Sequence, residues 1–118
     1  MQFSRFSAAA LKAAPSICTI RFQQQIYKVE FQAFCEPGNE HRTPVLFLGG
    51  AFQSFSSFRS EAERVLTTHP VILADLPSQG SNDQLAPELS LEDYADLLNL
   101  FCDSQSLQRI TLLGISYG

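Results

Sequence analysis

The chain has 118 residues, with 12 acidic and 8 basic side chains and a formal net charge of −4. Hydrophobic residues make up 45% and charged residues 17%, which suits one globular domain and excludes a disordered chain. The mild acidity gives no electrostatic footprint for nucleic acid, and no apolar run approaches the ~18 residues of a membrane span. Cys18, Cys35 and Cys102 are too few and too scattered for a disulfide framework or a metal cluster. Reduced thiols in a cytoplasmic protein, with no metal and no cofactor, are the expectation.

Residues 1–16 read as a flexible or briefly helical tail ahead of a domain over 17–118. The first acidic residue is Glu30, after Arg5, Lys12, Arg21 and Lys28. Such a basic, Ser/Ala-rich start also fits an organelle transit peptide, whereas Lys12 interrupts the apolar core a secretory signal needs. Ile17–Phe22 and Ile26–Phe34 then alternate in polarity around Gln23-Gln24-Gln25, predicting an antiparallel hairpin with one wet face. Glu36-Pro37-Gly38-Asn39 closes it as a turn.

Pro44-Val45-Leu46-Phe47-Leu48 is a solid apolar run ending at Gly49-Gly50, the pattern of a strand buried on both faces. Phe55, Phe58, Ala62, Val65 and Leu66 fall on a helical stripe, with Ser54 placed to cap it. Val71–Asp75 repeats the buried-strand pattern, and Leu76 to Pro87 is a loop. Ser90 and Asp93 form a capping-box-like start to a helix reaching about Cys102, predicted to bury Leu91, Ala95, Leu98 and Phe101. Arg109–Gly114 reads as a third buried strand. Strands alternating with helices predict an α/β fold, a hairpin followed by parallel strands joined by right-handed crossovers.

Gly114-Ile115-Ser116-Tyr117-Gly118 follows that last strand directly. A serine hydroxyl is a poor nucleophile unless it is held where substrate, base and oxyanion donors all reach it. A strand-to-helix turn sharp enough for that strains the serine backbone and needs tiny residues two positions to either side. Gly114 and Gly118 are those residues. Gly49-Gly50 lacks the G-x-G-x-x-G or Gly-Lys-Ser/Thr pattern of a phosphate loop.

From Val45 onward the chain resembles the N-terminal half of an α/β-hydrolase, a similarity covering about residues 17–118. It is carried by Leu48-Gly49-Gly50-Ala51-Phe52, Asp75-Leu76-Pro77-Ser78-Gln79-Gly80-Ser81, Leu89-Ser90-Leu91-Glu92-Asp93 and the Ser116 pentapeptide. The resemblance implies that Ser116 is the nucleophile and that the backbone N–H groups of Ala51 and Tyr117 form an oxyanion hole. Gly49, Gly50 and Phe52 would support that loop. Such hydrolases usually carry His-Gly where Gly49-Gly50 stands, and the backbone role survives the change. A narrower resemblance, in the stretch from Gly50 to Phe58 and in Asp75-Leu76-Pro77, is to the acyltransferase-like hydrolases that make the 3-hydroxyacyl ester precursor of rhamnolipids.

A serine nucleophile also needs a histidine and an orienting carboxylate, which in this fold follow the serine in the chain. The two histidines, His41 and His69, each precede a predicted parallel strand, at the edge opposite Ser116. Asp75 reads as support for its turn, Glu92 and Asp93 as helix-start acids. The reading is therefore a serine hydrolase or acyltransferase truncated at the nucleophile elbow, inactive by itself. In its full form it would act on an ester or thioester carbonyl of a small-molecule or acyl-thioester substrate, without nucleic acid or a membrane span. The alternative is a non-catalytic half-domain that binds an acyl ligand or a complementary polypeptide. The last apolar strand, left open, would be a site of self-association.

Overall fold

A computed structural model describes residues 16–49, 58–80 and 82–114. The predicted tail, apart from Ser16, and the proposed cap Ser54 lie outside the described residues. The elements run β1 (Ser16–Phe22), β2 (Gln25–Phe34), β3 (Val45–Leu48), α1 (Arg59–Leu66), β4 (Val71–Asp75), α2 (Leu91–Ser104) and β5 (Thr111–Gly114). This is the predicted order. The strands form one five-stranded sheet in the order β1-β2-β4-β3-β5.

β1 and β2 make the expected antiparallel hairpin, Phe22 opposite Gln25. Its two turn residues, Gln23 and Gln24, both adopt left-handed backbone (φ 51° and 66°). A two-residue hairpin turn needs that sign to match the strand twist, although the side chains do not favour it. Gln23 Nε2 donates to the Asp93 carboxylate at 3.3 Å, tying the turn to the start of α2.

The expected wet face of β2 holds for only half its length. Tyr27, Val29 and Ala33 point inward, and Ile26 is 57% exposed. Farther along, Glu30 and Phe34, on the face that should be wet, are buried. The reason is pairing: from Glu30 opposite Asp75 to Phe34 opposite Val71, β2 is an interior strand against β4.

β3 pairs in parallel with β4 on one side and β5 on the other. Their side chains alternate between two cores. Leu46, Leu48, Ile72 and Ala74 join α2 and the inward face of the hairpin. Phe47, Val71 and Leu73 join Phe34, Phe58, Ala62 and Leu66 beneath α1. The helices therefore cover opposite faces, as solid apolar strands require.

Helix α1 begins at Arg59, with Phe58 at the N-cap position and no side-chain cap. Helix α2 has the predicted capping box: Asp93 N–H donates to Ser90 Oγ at 3.1 Å, and Ser90 N–H donates to Asp93 Oδ2 at 3.0 Å. Phe101 is buried as expected, but the rest of the buried face is displaced from the predicted one. Tyr94, Leu97, Phe101 and Cys102 are buried, Leu98 is half-buried, Ala95 is exposed and Leu91 is 63% exposed. Two apolar stripes compete on this helix. The aromatic one wins because Tyr94 donates its hydroxyl to the Pro77 carbonyl at 2.9 Å while Phe101 meets Phe31 edge-on at 5.2 Å.

β5 is a correction to the buried-strand reading. It pairs only with β3, and all four of its residues are exposed.

Candidate active site

Chain direction locates the site before any side chain does. From β3 the chain crosses over α1 to β4, then crosses back over α2 to β5 on the far side of β3. In an open parallel sheet, reversal of winding leaves a crevice at the carboxyl ends of the strands, between the two oppositely directed crossovers. For this sheet the rule points to the carboxyl ends of β3 and β5. Leu48 is the register partner of Gly114. Gly49, the next residue, donates its N–H to the Ala74 carbonyl at 3.3 Å.

Two predicted site residues, Gly49 and Gly114, are thus brought side by side at one sheet edge. Gly50, Ala51, Phe52, Ser116, Tyr117 and Gly118 lie outside the described residues.

The third strand end at this edge is Asp75, fully buried. Gly80, with φ +53°, sits so close over the Asp75 carboxylate that any Cβ there would collide with it. Only glycine fits. Asp75 thus stands beneath its turn, as expected. Ser78 is also left-handed (φ 63°), and its Oγ accepts the Ala86 N–H at 2.7 Å.

The rest of the loop is sewn to β2 where β4 no longer covers it. Asn82 Nδ2 donates to the carbonyls of Lys28 (2.8 Å) and Asp75 (3.1 Å). The Gln84 amide accepts the Lys28 N–H and donates to the Ile26 carbonyl. It replaces the missing ladder partner of β2. Lys28 Nζ pairs with Asp83, and that hydrogen bond holds the Asp83 carboxyl below the usual range. Burial, then the hydrogen bond to Glu88, pushes the Tyr27 hydroxyl up, so it stays a protonated donor. Turn letters identified this loop, but not its attachment to β2, because that depends on contacts more than fifty residues apart.

Other nucleophiles and bases are poorly placed. His41 and His69 precede β3 and β4 at the opposite edge, marked by Val45 N–H donating to the Pro70 carbonyl at 2.9 Å. A strand of this length separates them from the Gly114 edge by roughly 13 Å. His69 Nδ1 is engaged with Thr68 Oγ1 at 2.8 Å. Burial raises the Cys35 and Cys102 thiols, which disfavours the reactive thiolate. Among the described residues, no group of three or more His, Cys, Asp or Glu could hold a metal ion.

Comparison with known proteins gives the geometry a family. Residues 43–118 match the family model for the alpha/beta hydrolase fold. A probable alcohol acetyltransferase of Wickerhamomyces anomalus is 31% identical, covering 97% of this chain and 34% of its own length. Ethanol acetyltransferase 1 of Cyberlindnera jadinii is 24% identical, covering 98% of this chain and 34% of its own. A thermophilic esterase from Thermogutta terrifontis superposes with a TM-score of 0.70 at 21% identity, over 86% of this chain and 37% of that one. A probable hydrolytic enzyme from Pseudomonas aeruginosa gives a TM-score of 0.74 at 13% identity, over 87% and 33%. At such identities the structural likeness is one of fold. The chain spans about a third of the length of the curated relatives it matches. The matched family model covers well over half of the sequence and agrees with the observed sheet: the chain belongs to the α/β-hydrolase fold family.

Proposed function

We infer that these residues supply the nucleophile and oxyanion half of an acyl-transferring enzyme, one that takes an acyl group from an ester or thioester and passes it to an alcohol or to water. Ser116 attacks the acyl carbonyl, and the N–H groups of Ala51 and Tyr117 receive the developing negative charge. Gly114 and Gly118 permit the sharp turn at the serine; Gly49, Gly50 and Phe52 support the oxyanion segment. The observation that carries this reading is the Leu48–Gly114 pairing, which starts both segments from one point of the sheet. The acetyltransferase names of the curated relatives and the acyltransferase-like stretch from Gly50 to Phe58 favour transfer to an alcohol alongside hydrolysis.

His41 and His69 both lie at the opposite edge of the sheet, so neither serves as the base for Ser116 in this reading. The test joins residues 17–118 to the remaining two-thirds of the Wickerhamomyces anomalus relative and assays a short p-nitrophenyl ester, with and without ethanol. The joined protein is expected to turn over the ester, and Ser116→Ala to lower the rate at least ~1,000-fold. Turnover indifferent to Ser116→Ala would remove the nucleophile assignment.

A second reading has its own support. β5 is an open edge, and beside it a cleft of about 340 Å³ is lined by Leu98, Cys102, Leu107, Ile110 and Leu112 among others. A half-domain that binds a complementary polypeptide, or a second copy of itself, through that edge would present such a surface. No helix among the described residues is long and apolar enough to cross a membrane.

A further inference from the structure

Apart from β5, the described sheet has another place where strand pairing runs out, on β2. On one side, residues 25–31 of β2 pair with β1, Ile26 opposite Arg21 and Lys28 opposite Thr19. On the other side, β4 stops at Asp75, opposite Glu30. Beyond that point the pairing groups of Ile26 and Lys28 are met by side chains instead. Lys28 N–H donates to Gln84 Oε1, Gln84 Nε2 donates to the Ile26 carbonyl at 3.0 Å, and Asn82 Nδ2 donates to the Lys28 carbonyl at 2.8 Å. Asn82 is itself buried and fixed. Its Nδ2 also donates to the Asp75 carbonyl, and its Oδ1 accepts the Gln84 N–H at 3.0 Å.

Solvation alone does not call for this arrangement. The bond to the Ile26 carbonyl is exposed and water would serve that oxygen, whereas holding two amide side chains still costs rotamer freedom. What tethered amides provide, and water does not, is exclusion. Water on a strand edge gives way to the backbone of another chain; an amide anchored in the same polypeptide yields only if its loop opens. The stretch needs such protection, because the exposed apolar side chain of Ile26 beside free pairing groups would make it a template for another strand. The Lys28–Asp83 pair adds charge to the same stretch, a further deterrent.

We propose that the 82–84 segment is an edge guard: the Asn82 and Gln84 amides stand in for a strand and keep residues 26–28 of β2 from pairing with the same residues of a second copy of this chain. A second copy fits the groups that are covered. Laid antiparallel with Tyr27 against Tyr27, it sets Lys28 of each chain opposite Ile26 of the other. The Lys28 N–H then meets the Ile26 carbonyl, the two groups Gln84 holds, and no like charges are opposed. The edge so closed is distinct from β5, and its role needs neither Ser116 nor the acyl-transfer reading.

The test uses the 118-residue chain carrying Leu112→Lys, to take β5 out of the comparison. Amide exchange and sedimentation velocity are measured for that chain and for its Gln84→Met and Gln84→Glu forms, at low and at high concentration. With both amide contacts removed, Gln84→Met is expected to speed Lys28 amide exchange about tenfold at low concentration, with exchange at Leu46 and Leu73 in the core unchanged. At high concentration this form is expected to associate and its Lys28 amide to become slow again, as the second copy takes the vacated groups. Gln84→Glu keeps an acceptor for the Lys28 N–H and adds a charge to the edge, so its Lys28 amide should stay slow and the chain monomeric. If Gln84→Met does not fold, Gln84→Ala is read in its place. A Lys28 amide that is exposed in a chain still monomeric at high concentration overturns the proposal. So does a Lys28 amide no faster than before, or association that leaves that amide fast.

Discussion

The Asp75–Gly80 contact shows how one residue can decide a loop. The turn needs left-handed backbone at Gly80, and the Asp75 carboxylate occupies the space a side chain would fill. The first strains any other residue, and the second leaves no room for its Cβ unless the carboxylate moves. Gly80→Ala is expected to destabilise the fold by at least ~2 kcal/mol, from backbone strain together with displacement of a buried carboxylate. Urea denaturation monitored by circular dichroism would measure it. A loss below ~0.5 kcal/mol would mean that the carboxylate has room to move. The motif was visible as a turn, and the resemblance gave Asp75 a supporting role. That the support is steric, carboxylate against backbone, was not visible, since the two groups meet only when the turn is closed.

Among the elements, α2 separates periodicity from packing. Its sequence offers Leu91, Ala95 and Leu98 on one stripe and Tyr94 and Leu97 on another, with Phe101, which is buried as expected, serving either. Hydropathy alone favours the first because a tyrosine hydroxyl counts against burial. The choice falls to the Pro77 carbonyl, which gives that hydroxyl an acceptor, and to the Phe31 ring of the hairpin. Leu97→Ala, at a site with no exposure, is expected to cost ~3 kcal/mol. Leu91→Ala, 63% exposed, should stay within ~0.5 kcal/mol. Thermal melts of the two variants side by side would check the facing. Equal losses would mean that the helix is turned the other way. The capping box, by contrast, was legible in the sequence because Ser90 and Asp93 are three residues apart and satisfy each other locally.

Over the whole molecule, the described sheet ends at β5. It offers an unpaired backbone edge, with Leu112 50% and Leu113 40% exposed. Apolar side chains on an open edge strand favour pairing with another chain. If the edge mediates self-association, Leu112→Lys should shift the 118-residue chain toward monomer in sedimentation velocity, with the sheet signal in circular dichroism unchanged. A parent chain that is monomeric at high concentration would show that the edge is not used in this way.

Sequence by itself determined what depends on near neighbours. The element order, the hairpin, the capping box, the Gly-flanked serine and the parallel strands all follow from local periodicity and turn chemistry, which act over a few residues. Tertiary structure alone decided which face of α2 is buried, why half of β2 loses its wet face, and how Gln84 and Asn82 complete the β2 edge. Each of these depends on atoms brought together from distant parts of the chain, where pairing and close packing override the hydropathy of any single segment.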